Sequence, residues 1–284
     1  MKAIFSISNL LAGAAAASLG APAQLRASNR VEIVYRGDPR PPSELRQLGG
    51  IATEYGERPF TNDSFGLEAH HRNLGRLGNF MSVYTSTSRW FGVTEPYATN
   101  FRESDGWIYR IRATPNMIDM VDSGFRITHG NESEFSAMGG IRWDQIQGWT
   151  PAFEKDLRVT SENMTKEDVI FDTCRVFKTR KASWIANVEY NHVYDQYSAS
   201  GGQPQLAGDS PEQTRQRNKT LEEHGLEFMR RNGGPVGWDG KNGPFLTLVP
   251  PQRPWKGPFP LDADEVAPLG RLNVTLCDDP PTWD

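Results

Sequence analysis

Two glutamates separated by one residue, Glu132 and Glu134, are the side chains of this sequence best placed to share chemistry. Residues i and i+2 of a β-strand point to the same face, so both carboxylates would face the same space. Like charges this close are unfavourable unless a cation or hydrogen bonds compensate, and such an acid pair can share acid–base work. The pattern alone also fits a solvated acidic turn before Gly139-Gly140. Other features of the sequence must therefore distinguish a catalytic pair from a surface turn.

Two further candidate site residues, Arg36 and Ser86, lie in predicted strands. Arg36 ends the first of them, and its guanidinium can bind a phosphate through two parallel hydrogen bonds. A surface ion pair with Asp38 is the alternative. Ser86 lies in the segment YTSTS, where its hydroxyl can hold a carboxylate or simply belong to a partly exposed strand. The five histidines are scattered, and no cluster of ligands predicts a metal site.

The elements that would position these residues are short strands and short helices. The residue patterns predict strands at 31–36, 80–88 and 107–114, one through Glu134, and one at 141–149; helices are predicted at 41–48, 66–76, 95–102 and 221–231. No GxGxxG turn joins a strand to a helix, which argues against a dinucleotide-binding parallel sheet. The predicted class is therefore α+β with mixed, mostly antiparallel sheets.

The chain of 284 residues has a net charge of −4, which gives no reason to expect a nucleic-acid partner. Its first 23 residues have a basic start, an alanine-rich apolar stretch and Ala21-Pro22-Ala23, an A-x-A cleavage pattern. We predict that residues 1–23 are a signal peptide and that the protein is secreted; a disordered alanine-rich tail is the alternative. No other stretch approaches the roughly 20 apolar residues of a transmembrane segment.

Two cysteines, Cys174 and Cys277, fit one disulfide in a secreted protein, with two buried thiols as the alternative. We place the main domain at residues 24–211. Residues 212–284, rich in proline and glycine, are predicted to be a loop-rich C-terminal extension that wraps the domain.

Several segments resemble one known family in the same order along the chain. VYRGDPRPPSELRQLGGI is similar to the opening of the catalytic A chain of cholera toxin and heat-labile enterotoxin, and YTSTS resembles its central strand. NESEFSAMGGIRWDQIQGW resembles its catalytic turn and the following strand, and IYRIRATPNMIDM and YDQYSASGGQPQLAGDSP also match. The resemblance covers residues 31–150 and, more weakly, 190–211. It implies an ADP-ribosyltransferase fold of the R-S-E class, with sheets around an NAD cleft.

The resemblance also implies roles for individual residues. Glu134 would be the central catalytic residue, and Glu132 would position an acceptor arginine. The other predicted site residues bind NAD or brace the catalytic strands: Arg36, Asp38, His70, Ser86 and Thr87. His71 is the neighbouring alternative to His70, and either histidine could be an ordinary exposed residue. The segment 120–132 would meet the protein substrate, with Phe125 as its aromatic contact.

The implied protein is a secreted toxin that uses NAD as a substrate to modify an arginine of a host protein, with action inside a host cell. A secreted NAD glycohydrolase and a non-catalytic binding module of the same fold are the alternatives. After Trp149 the sequence departs from the toxin pattern, which implies an insertion at about 158–185 within the catalytic domain at 24–211. No receptor-anchoring C-terminus is recognisable. Whether a binding subunit exists is therefore open. Proteolytic activation at Arg180-Lys181 or Arg230-Arg231 is a further hypothesis.

Overall fold

The computed structural model describes residues 30–53, 59–74, 78–100, 103–125, 133–153, 173–177, 184–208 and 218–257. Seven strands form one sheet in the order β5-β6-β3-β1-β4-β8-β9, and β2 and β7 form a small second sheet. All these strand pairs are antiparallel. The strands are β1 Ile33–Asp38, β2 Gly50–Ile51, β3 Tyr84–Ser88, β4 Gly106–Arg112, β5 Met117–Asp119, β6 Glu134–Met138, β7 Ile141–Arg142, β8 Ile146–Ala152 and β9 Ile185–Ala186.

Short helices surround the sheets, which confirms the predicted α+β class with antiparallel pairing. The α-helices are α1 Pro42–Leu48, α2 Leu67–His71, α3 Glu95–Ala98 and α4 Leu221–Asn232. Single 3-10 turns lie at Asn62–Phe65, Phe91–Thr94, Trp143–Gln145, His192–Gln196, Pro204–Leu206 and Gly234–Val236, and a π-type turn lies at Val121–Phe125. None of these helices combines the length and hydropathy needed to cross a membrane.

Two of the predicted helices are shorter than their sequence patterns indicate. The helix expected at 66–76 ends at His71, and Asn73 has a φ of 53°. The helix expected at 95–102 ends at Ala98, and Asn100 has a φ of 46°. Asparagine adopts this left-handed conformation more readily than most residues, and a residue in it cannot continue a right-handed helix. The hydrophobic pattern did not reveal these stops.

The strand pairing opens the sheet between β1 and β3. Those two strands pair at one position, Tyr35 with Ser88, whereas β1 and β4 share six residue pairs and β3 and β6 share five. Next to this position, the Arg36 side chain bridges the gap, because its Nη1 donates to the backbone carbonyl of Ser86 at 2.7 Å. Where the backbone pairing between β1 and β3 stops, the Arg36 side chain therefore forms the next contact between the two strands.

The C-terminal region packs into the core as well as onto the surface. Helix α4 begins with a capping box between Thr220 and Glu223, which satisfies backbone donors at its first turn. Its buried residues repeat at i, i+4, i+7 and i+8, the spacing of one helix face; they are Leu221, Gly225, Phe228 and Met229. All of them except Gly225 belong to a hydrophobic cluster that also contains Phe65 and Tyr84. Further on, the Leu246 backbone donates to the carbonyl of Gly139 at 3.1 Å. The domain boundary at 211 stays a prediction.

A network of side chains centred on Arg46 fixes the C-terminal segment near Arg253 and Trp255. Arg46 donates twice to Glu189, from Nε to Oε2 at 2.8 Å and from Nη2 to Oε1 at 2.7 Å. Trp143 Nε1 donates to the same carboxylate at 2.7 Å. The Arg46 guanidinium also donates to the carbonyl of Arg253 and lies over the ring of Trp255, 5.5 Å from its centroid. One arginine thus connects α1, the 189 region and the C-terminal segment.

Replacing Arg46 with alanine is expected to lower the free energy of unfolding by about 2 kcal/mol, because Glu189 keeps its charge but loses two charged hydrogen bonds. Urea unfolding at pH 7 measures the change. Lys219→Ala is the matched control, because Lys219 pairs with Glu227 on the exposed face of α4, and such pairs contribute less than about 1 kcal/mol. Equal losses in the two variants would contradict this role for Arg46.

Candidate active site

A buried aspartate holds two arginines at the end of β1. The Asp38 side chain is 3% exposed; its Oδ1 accepts from Arg40 Nε at 2.8 Å, and its Oδ2 accepts from Arg40 Nη2 at 2.7 Å. Arg36 Nε lies 3.4 Å from the same Oδ2. Burial alone would raise the pKa of Asp38, but the hydrogen bonds from Arg40 and the charges of both arginines outweigh it and lower the pKa. The carboxylate is therefore ionised and fixes both guanidiniums.

Ser86 and His70 face each other across the opening beside Arg36. His70 lies in α2, and its Nε2 is 2.9 Å from Ser86 Oγ. Its Nδ1 is 2.8 Å from Ser82 Oγ, just before β3. Both ring nitrogens are thus engaged, which fixes the plane of the imidazole. The backbone carbonyl of Ser86 accepts from Arg36, so this serine connects the arginine to the histidine.

Glu134 is the first residue of β6 and is 8% exposed. Its Oε2 is 2.8 Å from His71 Nδ1, and its Oε1 accepts from Ser136 Oγ at 3.1 Å and lies 3.4 Å from His70 Nε2. Burial alone would raise the pKa of Glu134. The hydrogen bonds and charges of the two histidines outweigh that effect and hold the pKa well below its usual range. The result is a buried carboxylate that stays ionised at neutral pH.

Comparison with known protein families gives a match that covers most of the chain. Residues 22–230 match the family model of the heat-labile enterotoxin alpha chain. The chain belongs to this family.

Three curated relatives match a shorter part of the chain. The A chain of cholera enterotoxin from Vibrio cholerae is 35% identical over 126 residues, which are 41% of this chain and 48% of the relative. The heat-labile enterotoxin A chain of Escherichia coli is 31% identical over 130 residues, 41% of this chain and 48% of the relative. NAD(+)–arginine ADP-ribosyltransferase Chelt of Vibrio cholerae is 32% identical over 125 residues, 40% of this chain and 20% of the relative. The chain spans about half or less of each.

Among solved structures, a heat-labile enterotoxin variant is 24% identical, with 67% of this chain and 96% of that chain covered and a TM-score of 0.44. Scabin toxin from Streptomyces scabies in complex with NADH is 20% identical, with 57% of this chain and 76% of that chain covered and a TM-score of 0.34.

Most of the site residues predicted for this enterotoxin-family chain lie in one connected group. The group consists of Arg36, Asp38, His70, Ser86 and Glu134. Thr87 is not part of it: it lies one residue along β3 from Ser86, is buried, and donates its hydroxyl to the carbonyl of Phe135 at 2.7 Å. A role of Thr87 in NAD binding stays a prediction. Glu132 lies outside the described residues, as do residues 126–131.

The conformation of the backbone just before Glu134 differs from that of a strand. Strand alternation was expected to place Glu132 and Glu134 on one face; β6 begins at Glu134, Ser133 has a left-handed φ of 41°, and the shared face of the two glutamates stays a prediction. Residues that follow β3 stabilise this unusual conformation, because the backbone of Arg89 donates to the Ser133 carbonyl at 3.1 Å and Trp90 Nε1 donates to Ser133 Oγ at 2.9 Å. The period of two therefore does not extend through residue 133, since a left-handed residue breaks it.

Sequence reasoning missed some partners of the predicted residues. Arg40, Ser82 and Ser136 support Asp38, His70 and Glu134 respectively. Ser136 could have been found, because it follows Glu134 by two residues on the same strand and so shares its face. The sequence offers His71 as a substitute for His70, whereas both histidines contact the site. Within the described ranges no three metal-binding side chains converge.

The fold also bears on the predicted sites of proteolytic activation, whereas the predicted disulfide involves a residue outside the described ranges. Arg230 and Arg231 lie in the last turn of α4, next to the buried Met229, so cleavage there would require the helix to unwind. The alternative cleavage point at 180–181 lies outside the described residues. Cys277 also lies outside them, and its disulfide with Cys174 stays a prediction.

Proposed function

We propose that this protein is an NAD-dependent mono-ADP-ribosyltransferase that modifies an arginine side chain of a host protein. One observation carries the proposal: a buried, ionised Glu134 is connected through His70 and Ser86 to Arg36 at the opening between β1 and β3. A fixed negative charge beside a phosphate-binding cation suits a substrate with a diphosphate at one end and a ribose that becomes cationic at the other. Membership of the enterotoxin family supports the same substrate.

Arg36 would bind the NAD diphosphate. Its contacts with Ser86 and Asp38 use Nε and Nη1, and a guanidinium carries five N–H donors. The side chain can therefore contact phosphate oxygens without giving up either bond. Asp38 and Ser86 would then set the direction in which the guanidinium points.

Glu134 would act on the ribose during bond cleavage. The bond between the ribose and nicotinamide breaks, nicotinamide leaves with the electron pair, and positive charge develops on the ribose. The Glu134 carboxylate stabilises that charge and accepts a hydrogen bond from a ribose hydroxyl. Ser136 and His70 hold Oε1 while this happens. The stabilisation operates mainly in the transition state, so it should affect kcat more than NAD affinity.

The acceptor step requires a second acid. A guanidinium nitrogen of the target attacks the ribose carbon and must lose one proton, and an arginine side chain has a pKa above about 12. We assign this proton and the positioning of the guanidinium to Glu132, as the E-x-E pattern implies. A relative named NAD(+)–arginine ADP-ribosyltransferase supports arginine as the acceptor. If water attacks instead, the protein is an NAD glycohydrolase.

Secretion completes the proposal. A cleaved signal peptide at residues 1–23 and a Cys174–Cys277 disulfide would both suit an extracellular protein. The catalytic domain would span residues 24–211. Host-cell entry and any binding subunit would depend on features beyond this domain.

The proposal is tested by supplying purified protein with NAD and an arginine analogue that carries a free guanidinium. Nicotinamide release and the mass of the ADP-ribosylated analogue are measured together. We expect both products from the wild type, and we expect Glu132→Ala to lose at least about tenfold in transfer while it keeps nicotinamide release. Glu227→Ala, a change on the exposed face of α4, is the control. Nicotinamide release without any adduct in the wild type would favour the glycohydrolase.

A further inference from the structure

His71 lies against the carboxylate of Glu134 and has no role in the chemistry described so far. Its side chain is 5% exposed, and its Nδ1 is 2.8 Å from Glu134 Oε2. We propose that His71 is a positioning residue, which fixes the orientation of the Glu134 carboxylate through an Nδ1–H donor and thereby raises kcat without changing NAD affinity. This inference rests on the proposed function above.

The contact defines where the proton lies on His71. An ionised carboxylate can only accept hydrogen bonds, so the ring nitrogen that faces it must be a donor. Glu134 is buried and its pKa is lowered, so it is ionised. His71 therefore carries a hydrogen on Nδ1 whether the ring is neutral or charged. An imidazole in this role differs from a general base, because it keeps its proton while it holds its partner.

Two adjacent histidines rarely approach the same carboxylate from a helix, because neighbouring residues point about 100° apart around the axis. Here α2 ends at His71, and the two rings contact different oxygens of the Glu134 carboxylate. His70 is engaged with Ser82 and Ser86 and lies 3.4 Å from Oε1 of Glu134, whereas His71 contacts Oε2 directly. The roles are therefore separate: His70 connects the serines to the acid, and His71 orients the acid.

The His71 ring is supported on another side by an aromatic residue. The centroid of Phe125 lies 5.9 Å from that of His71, with the planes inclined by 48°. Phe125 ends the turn Val121–Phe125, which is fixed from the 200 region because the backbone of Gln203 donates to Ser123 Oγ at 2.9 Å. A side chain at Gly202 would place its Cβ only 2.2 Å from the Asp122 backbone. The turn and the ring it supports are thus closely packed.

This arrangement leaves Glu134 able to receive a substrate. A carboxylate has about four acceptor sites, and the contacts from His71, Ser136 and His70 occupy three directions. One direction remains for a ribose hydroxyl. Without His71, Oε2 loses its closest contact and the carboxylate can rotate away from the ribose. Misplacement of a catalytic group by about 1 Å can cost roughly 100-fold in rate.

The test compares His71→Leu, which removes the donor, with His71→Asn, whose amide nitrogen is bonded to Cγ as Nδ1 is and can donate in its place. Nicotinamide release is measured over a range of NAD concentrations. We expect His71→Leu to lower kcat about 10- to 100-fold with KM for NAD within about twofold of the wild type. We expect His71→Asn to retain kcat within about threefold. If His71→Leu is not recovered folded, His71→Met replaces it with the same expected result.

His192 supplies the matched control. Its Nδ1 is 2.9 Å from Asp195 Oδ2, a similar pair, but the histidine side chain is 83% exposed. His192→Leu should leave kcat unchanged. A kcat within twofold of the wild type for His71→Leu would overturn the proposal, and so would an equal loss in His71→Asn and His71→Leu.

A second measurement separates this inference from the proposed function. Thermal unfolding at pH 7 is compared for the wild type, His71→Leu, Glu134→Gln and the double variant. We expect His71→Leu to lower Tm by about 5 °C in the wild type and by less than half of that in Glu134→Gln, because a neutral acceptor forms a weaker hydrogen bond. If the wild type releases no nicotinamide, the proposed function fails while this cycle still decides whether His71 holds Glu134. Additive losses would overturn that contact.

Discussion

Glu134→Gln is expected to lower the rate of nicotinamide release by about 10³-fold, the largest loss expected from any single substitution in this chain. Glutamine keeps the shape of the side chain but removes the negative charge that stabilises the cationic ribose. The variant should remain folded, because His71 can still donate to the amide oxygen at the Oε2 position, and the amide nitrogen at the Oε1 position can donate to Ser136 Oγ. Steady-state kcat measures the loss, and thermal unfolding establishes that the fold is intact.

A matched control for this prediction is Glu227→Gln. It makes the same chemical change at a glutamate whose side chain is 36% exposed and paired with Lys219. We expect its kcat to equal that of the wild type. A Glu134→Gln variant that retains more than about a tenth of wild-type kcat would remove Glu134 from the central role.

Asp38→Asn is expected to lower the free energy of unfolding by about 3 kcal/mol, because it leaves the guanidiniums of Arg36 and Arg40 without their shared carboxylate. Arg36 would also lose its support beside Ser86, and we expect KM for NAD to rise at least about tenfold. Urea unfolding and NAD-concentration series measure the two effects. The control is Asp239→Asn, since Asp239 pairs with Lys241 at an exposed position.

The pH dependence of this loss follows from the sign of the pKa shift. The pKa of Asp38 is lower in the folded protein than its ordinary value of about 3.9. Its stabilising contribution is therefore complete above pH 3.9 and is lost as the pH falls through the folded-state pKa. The stability difference between wild type and Asp38→Asn should be the same at pH 7 and pH 5 and should shrink below about pH 4. A difference that grows on acidification would contradict the assignment.

Much of the site was predictable because its residues lie in strands with clear limits. The limits of α1 were clear from the sequence, because Pro41 and Pro42 lie at its start and Gly49 follows its last residue. Gly49 adopts a left-handed φ of 78°, which ends the helix. The β-branched and aromatic pattern predicted β4, which lies inside the sheet between β1 and β8. With β1, β3 and β6 predicted, the family resemblance implied that Arg36, Ser86 and Glu134 lie close together.

The remaining features depend on tertiary contacts that no local pattern specifies. The conformation of Ser133 is set by donors from Arg89 and Trp90, more than 40 positions earlier in the chain. Which carboxylate oxygen of Glu134 each of the two adjacent histidines contacts depends on where α2 ends. Thr87 looked equivalent to Ser86 in sequence, yet it lies one residue further along the strand and bonds to the Phe135 backbone instead.

A crystal structure of Glu134→Gln with NAD tests most directly whether these residues act on one substrate molecule. The variant should bind NAD but cleave it too slowly to lose it. The account predicts the diphosphate on Arg36 and the nicotinamide-bearing ribose beside residue 134, in the opening between β1 and β3. An NAD molecule bound elsewhere, with Arg36 and residue 134 out of contact with it, would contradict the account.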